Sequence, residues 1–330
     1  MRASLLQSFG GPEVLSLADV PEPTPRPGWS VVRLKSAGLN WHDALVRRGV
    51  YSSPLPIVIG ADGAGIVDSE AHAGEEVVIL PSLFWGGSRA APGADFEILG
   101  DQRNGTYAEL VQVPDECLFA KPRELSWAQA GAFSLVGVTV FRALFTRGRL
   151  RAGESLLVLG ASGGVASFAI QLATAAGVNV TATSADAAKR EGARDIGARS
   201  TIDHSAEDWT TQARSAANGG EGFDLVLDSV GRVAESLDCL RPGGRCVVLG
   251  ASTADTLAVP LRPFYFSQHE VIGTTMGSPA DMHGLLGLID EVGPMAPIID
   301  SSFGLDEVVR AHERLESGQG FGKITLEFDT

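Results

Sequence analysis

Residues 154–189 read ESLLVLGASGGVASFAIQLATAAGVNVTATSADAAK. Leu156 to Leu159 is a continuous apolar run, the pattern of a strand buried on both faces. Gly160, Gly163 and Gly164 follow at once. From Val165 to Ala176 apolar residues recur at helical spacing, and Gly177 stands where a helix-ending glycine would. A second apolar, β-branched run spans Val178 to Thr183. Strand, glycine turn, helix, strand is the unit that binds a dinucleotide. Glycines let the backbone approach a pyrophosphate, and the helix N-terminus offers it unpaired N–H groups and the positive end of its dipole. The spacing departs from G-x-G-x-x-G. From Ala161 it is A-S-G-G-V-A, with Ala161 and Ala166 at the outer positions. A bare glycine turn would be weak evidence. The flanking strand, helix and strand outweigh the alternative of a sharp turn with no nucleotide, and they put Gly160, Ala161, Ser162, Gly163, Gly164 and Val165 against the phosphates.

Outward from this unit the rhythm continues. Ser200 to Ile202, Phe223 to Leu227 and Arg245 to Leu249 are further strand-like runs with helical segments between them. That alternation predicts an α/β domain with a doubly wound parallel sheet. Upstream, Pro122 marks a change. Ser126 and Gln129 have capping-box spacing, and Leu135 to Phe145 reads as a helix. Before residue 121 the chain looks different. Val31–Leu34, Ala64–Val67, Val77–Leu80 and Tyr107–Val113 are short β-like runs separated by glycine, proline and charged turns. They predict a small β-rich domain, a partly open barrel. Ser82 to Gly105 has no periodicity, and a loop of that length is functional or mobile. After Pro260 the α/β rhythm stops, leaving helices near Ala280–Ile289 and Leu305–Leu315 and a final strand, Lys323–Phe328.

At 330 residues the chain can hold two domains and a large core. Its formal net charge of -14 argues against nucleic acid and anionic membranes as partners. The N-terminus lacks a basic segment followed by an apolar one, and no apolar run is long enough to cross a bilayer. Cys117, Cys239 and Cys246 are scattered and odd in number, as expected of buried thiols in a reducing cytoplasm.

These residues together resemble the medium-chain dehydrogenase/reductase superfamily. The matching stretches are AGLNWHD (37–43), RRGVYSSPLPIVIGADGAGIV (47–67), GTYAELVQVP (105–114), GASGGVA (160–166), GARSTIDH (197–204), DLVLDSVG (224–231), LRPGGRCVVLG (240–250) and GFGKITLEF (320–328). The resemblance runs almost the whole length and is greatest to the quinone oxidoreductase branch. It implies a GroES-like substrate domain at 1–121, a Rossmann domain at 122–261, and a return to the substrate domain at 262–330. It also implies a nicotinamide cofactor, a small-molecule substrate bound in a cleft between the domains, and a homodimer.

Zinc alcohol dehydrogenases carry Cys at the position of Asn40 and Gly-His-Glu where this chain has Gly60-Ala61-Asp62. Their structural zinc loop holds four cysteines, and Ser82–Gly105 holds none. Zinc in such sites takes thiolate and imidazole, so no metal is expected. Asn40 and Tyr51 match the polar positions around the lost zinc site. Asn40 can donate to a carbonyl oxygen, and Tyr51 can donate and relay a proton. The plainer readings are a turn cap for Asn40 and rim packing for Tyr51. For His42 a surface role or a structural hydrogen bond is expected, since in an extended segment it would point away from Asn40. Thr139 matches a nicotinamide-side position, and Gly250 lies in a cofactor-domain motif.

An NAD-preferring domain ends its second strand in Asp or Glu, which holds the ribose 2′-OH. Here Thr183 and Ser184 occupy that place, and Lys189 and Arg190 follow within reach of a 2′-phosphate. Hydroxyl plus cation suits a phosphate monoester, so NADPH is preferred over NADH. Asp186 is the contrary observation: it could serve the ribose, but it reads as the start of the next helix, and Lys189 and Arg190 could equally be solvated helix charges. The expected activity is hydride transfer to quinones or related conjugated carbonyls. Its rivals are an enoyl reductase acting on acyl thioesters, a zinc-type alcohol dehydrogenase and a non-catalytic NADPH-binding protein.

Overall fold

The computed structural model describes residues 1–69 and 72–328. They fall into two compact units. One comprises Met1–Val136, Ser278–His283 and Ala296–Thr330, and the other Gly137–Gly277 and Gly284–Met295.

The first unit is built around one long strand, Trp29–Gly38, whose residues are mostly buried. It changes partners along its length. Trp29–Arg33 pair with the Leu110–Pro114 strand, Val32–Ser36 with Ala64–Val67, and Ser36–Gly38 with Lys323–Glu327. A register shift between Leu34 and Ser36 marks the bend, the usual role of a bulge in a curled sheet. Glu76–Ile79, Leu118–Ala120 and Ile299–Gly304 complete a seven-stranded sheet that does not close, the partly open barrel expected. A hairpin of Arg2–Leu6 with Leu15–Asp19 flanks it. In the long loop, Ser82–Leu83 pair with Glu97–Ile98, and the buried Trp85 donates its indole N–H to Ser88 O at 3.0 Å. The loop is therefore anchored from within.

The second unit is a doubly wound sheet of six parallel strands. Their order is Ser200–Ile202, Asn179–Thr183, Ser155–Val158, Phe223–Asp228, Leu240–Val248, Glu270–Gly273. In chain order that is 3-2-1-4-5-6, the dinucleotide-binding topology. The central strands are buried throughout, which is why they read as unbroken apolar runs. Helix Gly164–Ala175 follows the glycine turn, and Gly177, at φ +78°, ends it. The expected Leu135–Phe145 helix is regular only over Ser134–Phe141 and continues as a π-helix, Arg142–Arg147. The three cysteines are free and buried, with their thiols pushed up to about 12 by burial. No helix among the described residues is long and apolar enough to cross a membrane.

Candidate active site

In the second unit the glycine turn stands at the C-terminal end of Ser155–Val158, where the sheet order reverses. Gly160 has φ +103°, a region closed to side chains, and its N–H donates to Thr183 Oγ1 at 3.1 Å. The turn is thereby fastened to the end of the second strand. Gly163 precedes the helix at an ordinary φ of -67°, and no side chain caps the helix start. A Cβ built on Gly163 meets no heavy atom within 4 Å. The helix start is thus without a side-chain cap and has room beside Gly163, as an anion site requires. Ala161 is buried, and Ser162 is half-buried.

At the second strand's end, Thr183 is fully buried, and its hydroxyl lies between the Gly160 N–H and His204 Nδ1 at 3.1 Å. Ser184 Oγ accepts from the Asp186 N–H at 3.2 Å. Asp186 caps helix Ala187–Asp195, accepting from Ala188 N–H at 2.8 Å and Lys189 N–H at 3.2 Å, so it starts that helix as read. Arg190 donates to Ser184 O at 2.6 Å and Ala185 O at 2.9 Å and pairs with Asp203 at 3.1 Å. It closes the strand end. Lys189 is half-buried on the same helix. Gly250 approaches Ser229 so closely that a Cβ would lie 2.1 Å from the Ser229 carbonyl oxygen. The Thr139 hydroxyl is buried without a hydrogen-bond partner among the described residues. The open cradle at Gly163 and the orphaned Thr139 hydroxyl fit a dinucleotide.

In the first unit the chemistry-bearing side chains form a buried network. Asn40 precedes helix Trp41–Arg47, and its N–H donates to Asp43 Oδ2 at 2.8 Å. Its amide Nδ2 donates to Gly38 O at 3.2 Å, and its Oδ1 accepts a short hydrogen bond from Lys323 Nζ. Lys323 also donates to Leu39 O at 2.6 Å and lies 3.7 Å from Asp62 Oδ2. Asp62 Oδ1 accepts from Leu135 N–H at 3.2 Å, and Tyr107 donates its hydroxyl to Asp43 Oδ2 at 3.0 Å. Asp62 is 0% exposed and Lys323 4%. Burial pushes Asp62 up to about 6 against the pull of the Lys323 ammonium, and pushes Lys323 down. Burial raises Asp43 as well.

Lys323 was not singled out from the sequence. The signal was there, since a lysine that opens an apolar strand must find a buried partner. Strand register supplies it. Thr325 pairs with Gly38, and the Leu39 N–H donates to Ile324 O at 2.8 Å, which carries Lys323 to Asn40.

Tyr51 is 39% exposed, and its ring meets that of His42 edge-on at 5.0 Å between centroids. Burial first, then Asp101, raises the phenol. His42 departs from expectation. Residues 41–47 are helical, not extended, so the argument that His42 points away from Asn40 does not hold. Both ring nitrogens are buried without a hydrogen-bond partner among the described residues.

Residues 26–123 match the alcohol dehydrogenase GroES-like domain family, and residues 164–291 the zinc-binding dehydrogenase family. A Pseudomonas aeruginosa quinone oxidoreductase is 32% identical, with 97% of each chain covered. The chain belongs to the medium-chain dehydrogenase/reductase superfamily. It is an oxidoreductase. Mouse quinone oxidoreductase is 31% identical over 99% of this chain and 97% of its own. A solved NAD-dependent alcohol dehydrogenase, 34% identical, superposes with a TM-score of 0.92 over 99% of this chain and all of its own.

A zinc ion, which one family name implies, is not matched by the donors here. Asn40 offers an amide, Ala61 a methyl and Asp62 one carboxylate, and an ammonium already lies against Asn40 Oδ1, Leu39 O and Asp62. Among the described residues no group of three or more His, Cys, Asp or Glu could hold a metal. The donor set does not fit zinc.

Proposed function

We propose that this oxidoreductase is an NADPH-dependent reductase that delivers hydride to quinones or related conjugated carbonyls without a metal. The observation that carries the reading is the Lys323 ammonium, buried against Leu39 O, Asn40 Oδ1 and Asp62, two of them at positions that by resemblance match zinc ligands. An unactivated alcohol needs a Lewis acid to give up hydride. A conjugated carbonyl does not, because accepting hydride turns it into a delocalised enolate or phenolate. The protein then has to align the reactants, offer hydrogen bonds and supply a proton. A bound nicotinamide supplies the hydride.

The assigned roles follow. The N–H groups after Gly163 hold the pyrophosphate, with Gly160, Ala161, Ser162, Gly164 and Val165 shaping the turn. Thr139 meets the nicotinamide side, and Gly250 leaves room at the strand ends. Asn40 has a second amide hydrogen to offer an acceptor oxygen, since only one goes to Gly38 O. Tyr51 is the exposed hydroxyl. Ser184 and Lys189 favour a 2′-phosphate, because no carboxylate ends the second strand: Asp186 is committed to its helix. The working form is a homodimer.

Activity decides among the rivals. NADPH oxidation should be seen with quinones and enals, and not with simple aldehydes, after dialysis against a chelator. Preference for enoyl thioesters would make the chain an enoyl reductase. Activity lost on chelation and restored by zinc would return it to the zinc enzymes, and no turnover would leave a binding protein. By titration NADPH should bind more tightly than NADH. Lys189→Ala should cost about 1–3 kcal/mol of NADPH binding and spare NADH. Equal binding of the two cofactors by the unaltered chain would overturn the preference.

A further inference from the structure

Two buried histidines lack hydrogen-bond partners at both ring nitrogens among the described residues, His312 and His42. Buried polar groups are ordinarily paired, so each needs an account. His312 is sealed in, edge-on to Tyr107 and beside two arginines. Burial and the Arg47 and Arg48 charges push its imidazole down to about 3, so it stays neutral and serves as packing. His42 is placed differently. It is only half-buried, one residue from the Asn40–Asp43 network, and it packs against Tyr51, whose ring reaches solvent. Asp43, the neighbouring carboxylate, does not fix the ring. Its Oδ2 is occupied by the Asn40 N–H and the Tyr107 hydroxyl. Burial, and then the Asp101 charge, raises the Tyr51 phenol. The Tyr51 hydroxyl makes no hydrogen bond within the described residues. Two proton-carrying groups thus sit ring against ring, each without a protein partner.

Resting on the proposed reductase activity, we infer that His42 is the proton reservoir of the site and acts through Tyr51. The acceptor carbon gains a hydrogen and its electron pair from the dihydronicotinamide, whose C–H bond breaks. The acceptor is reduced by two electrons and the nicotinamide oxidised by two. The conjugated carbonyl oxygen becomes an enolate or phenolate and takes the Tyr51 hydroxyl proton. An imidazole N–H of protonated His42 returns a proton to the tyrosinate, and His42, whose ring nitrogens are covered at rest, regains its proton from solvent when the ring pair opens between turnovers. His42 is a positioning residue by this account, since Tyr51 meets the substrate.

The test uses the full chain with NADPH and a quinone or enal. His42→Gln and His42→Phe should each lower kcat by roughly tenfold or more, with NADPH affinity and melting temperature unchanged. They should also remove the alkaline limb of the kcat–pH profile, which loss of the proton donor imposes, and enlarge the solvent deuterium effect on kcat, since proton return then limits turnover. The double variant with Tyr51→Phe should be no slower than the slower single one, since both act on one proton path. Unchanged kcat and pH profile in the His42 variants, or losses that multiply with Tyr51→Phe, would overturn the inference. If both variants fold poorly, the unaltered chain still decides: a kcat insensitive to D2O and flat from pH 5 to 9 would sink it. A chain that fails to oxidise NADPH with any of the acceptors would defeat the reductase reading itself, a result distinct from either of these.

Discussion

Lys323 holds a charge in a place where a charge alone could not stay. Its ammonium is tolerable because Leu39 O and Asn40 Oδ1 accept from it and Asp62 balances it. Removing one partner should be far worse than never having had either. Lys323→Met should cost roughly 3–5 kcal/mol at pH 8, by chemical denaturation, because it strands a buried carboxylate. The pH dependence has a definite sign. Asp62 titrates near 6 in the folded chain against an ordinary 3.8. A raised carboxylate contributes stability below its unfolded value and loses it as pH climbs through the folded one. Without Lys323 the folded value rises further. The gap between variant and unaltered chain should therefore be small at pH 5 and widen by pH 8. A gap that stays constant over that range would mean that the ion pair is not what Lys323 contributes.

At the scale of elements, the glycine turn permits two substitutions with opposite outcomes. Gly163→Ala puts its methyl into open space at an ordinary φ, so the fold should be untouched. NADPH binding should fall roughly tenfold or more, about 1.4 kcal/mol, because the methyl stands where the pyrophosphate approaches. Gly160→Ala forces a side chain to φ +103° and should cost roughly 1–3 kcal/mol of stability. Calorimetry and titration of both variants check the pair, and wild-type NADPH binding by Gly163→Ala would remove the phosphate site from this turn. This unit was legible because its signals are local. Buried parallel strands must be apolar throughout, and the turn needs glycine at fixed places. The first unit was harder to read. Strand Trp29–Gly38 takes three partners, one of them from the far end of the chain, and no local pattern announces such a pairing. The same distance hid Lys323. Helix Trp41–Arg47 escaped because seven residues leave little room for periodicity, and with it went the orientation of His42. The π-helix after Phe141 keeps apolar residues at nearly helical spacing, so the sequence reads straight through it.

For the whole molecule the question is what a second copy would touch. Each chain carries a formal charge of -14, so two copies repel unless they meet on a neutral face. One such face stands out. Residues 261–266 read LRPFYF, without an acidic side chain, and Leu261 is 73% and Phe266 76% exposed, with Leu257 and Tyr265 beside them. Phe264 of the same short helix packs inward, so the exposure belongs to one side of it. The next element, Glu270–Gly273, is the edge strand of the six-stranded sheet and, among the described residues, pairs only with Leu240–Val248. Its outer backbone groups are a template for another strand. Two identical edges related by a two-fold axis would meet antiparallel, and the apolar side chains nearby would be covered in the same event. The acidic Glu270 is neutralised by Arg149 at 2.6 Å and so adds little repulsion there. Sedimentation at micromolar concentration should give twice the chain mass for the unaltered protein. Leu261→Glu with Phe266→Glu should give the single mass, with the melting of the sheet's own core preserved apart from the loss of mass-action stabilisation. Double mass in the variant would place the contact elsewhere, and single mass in the unaltered chain would remove the homodimer.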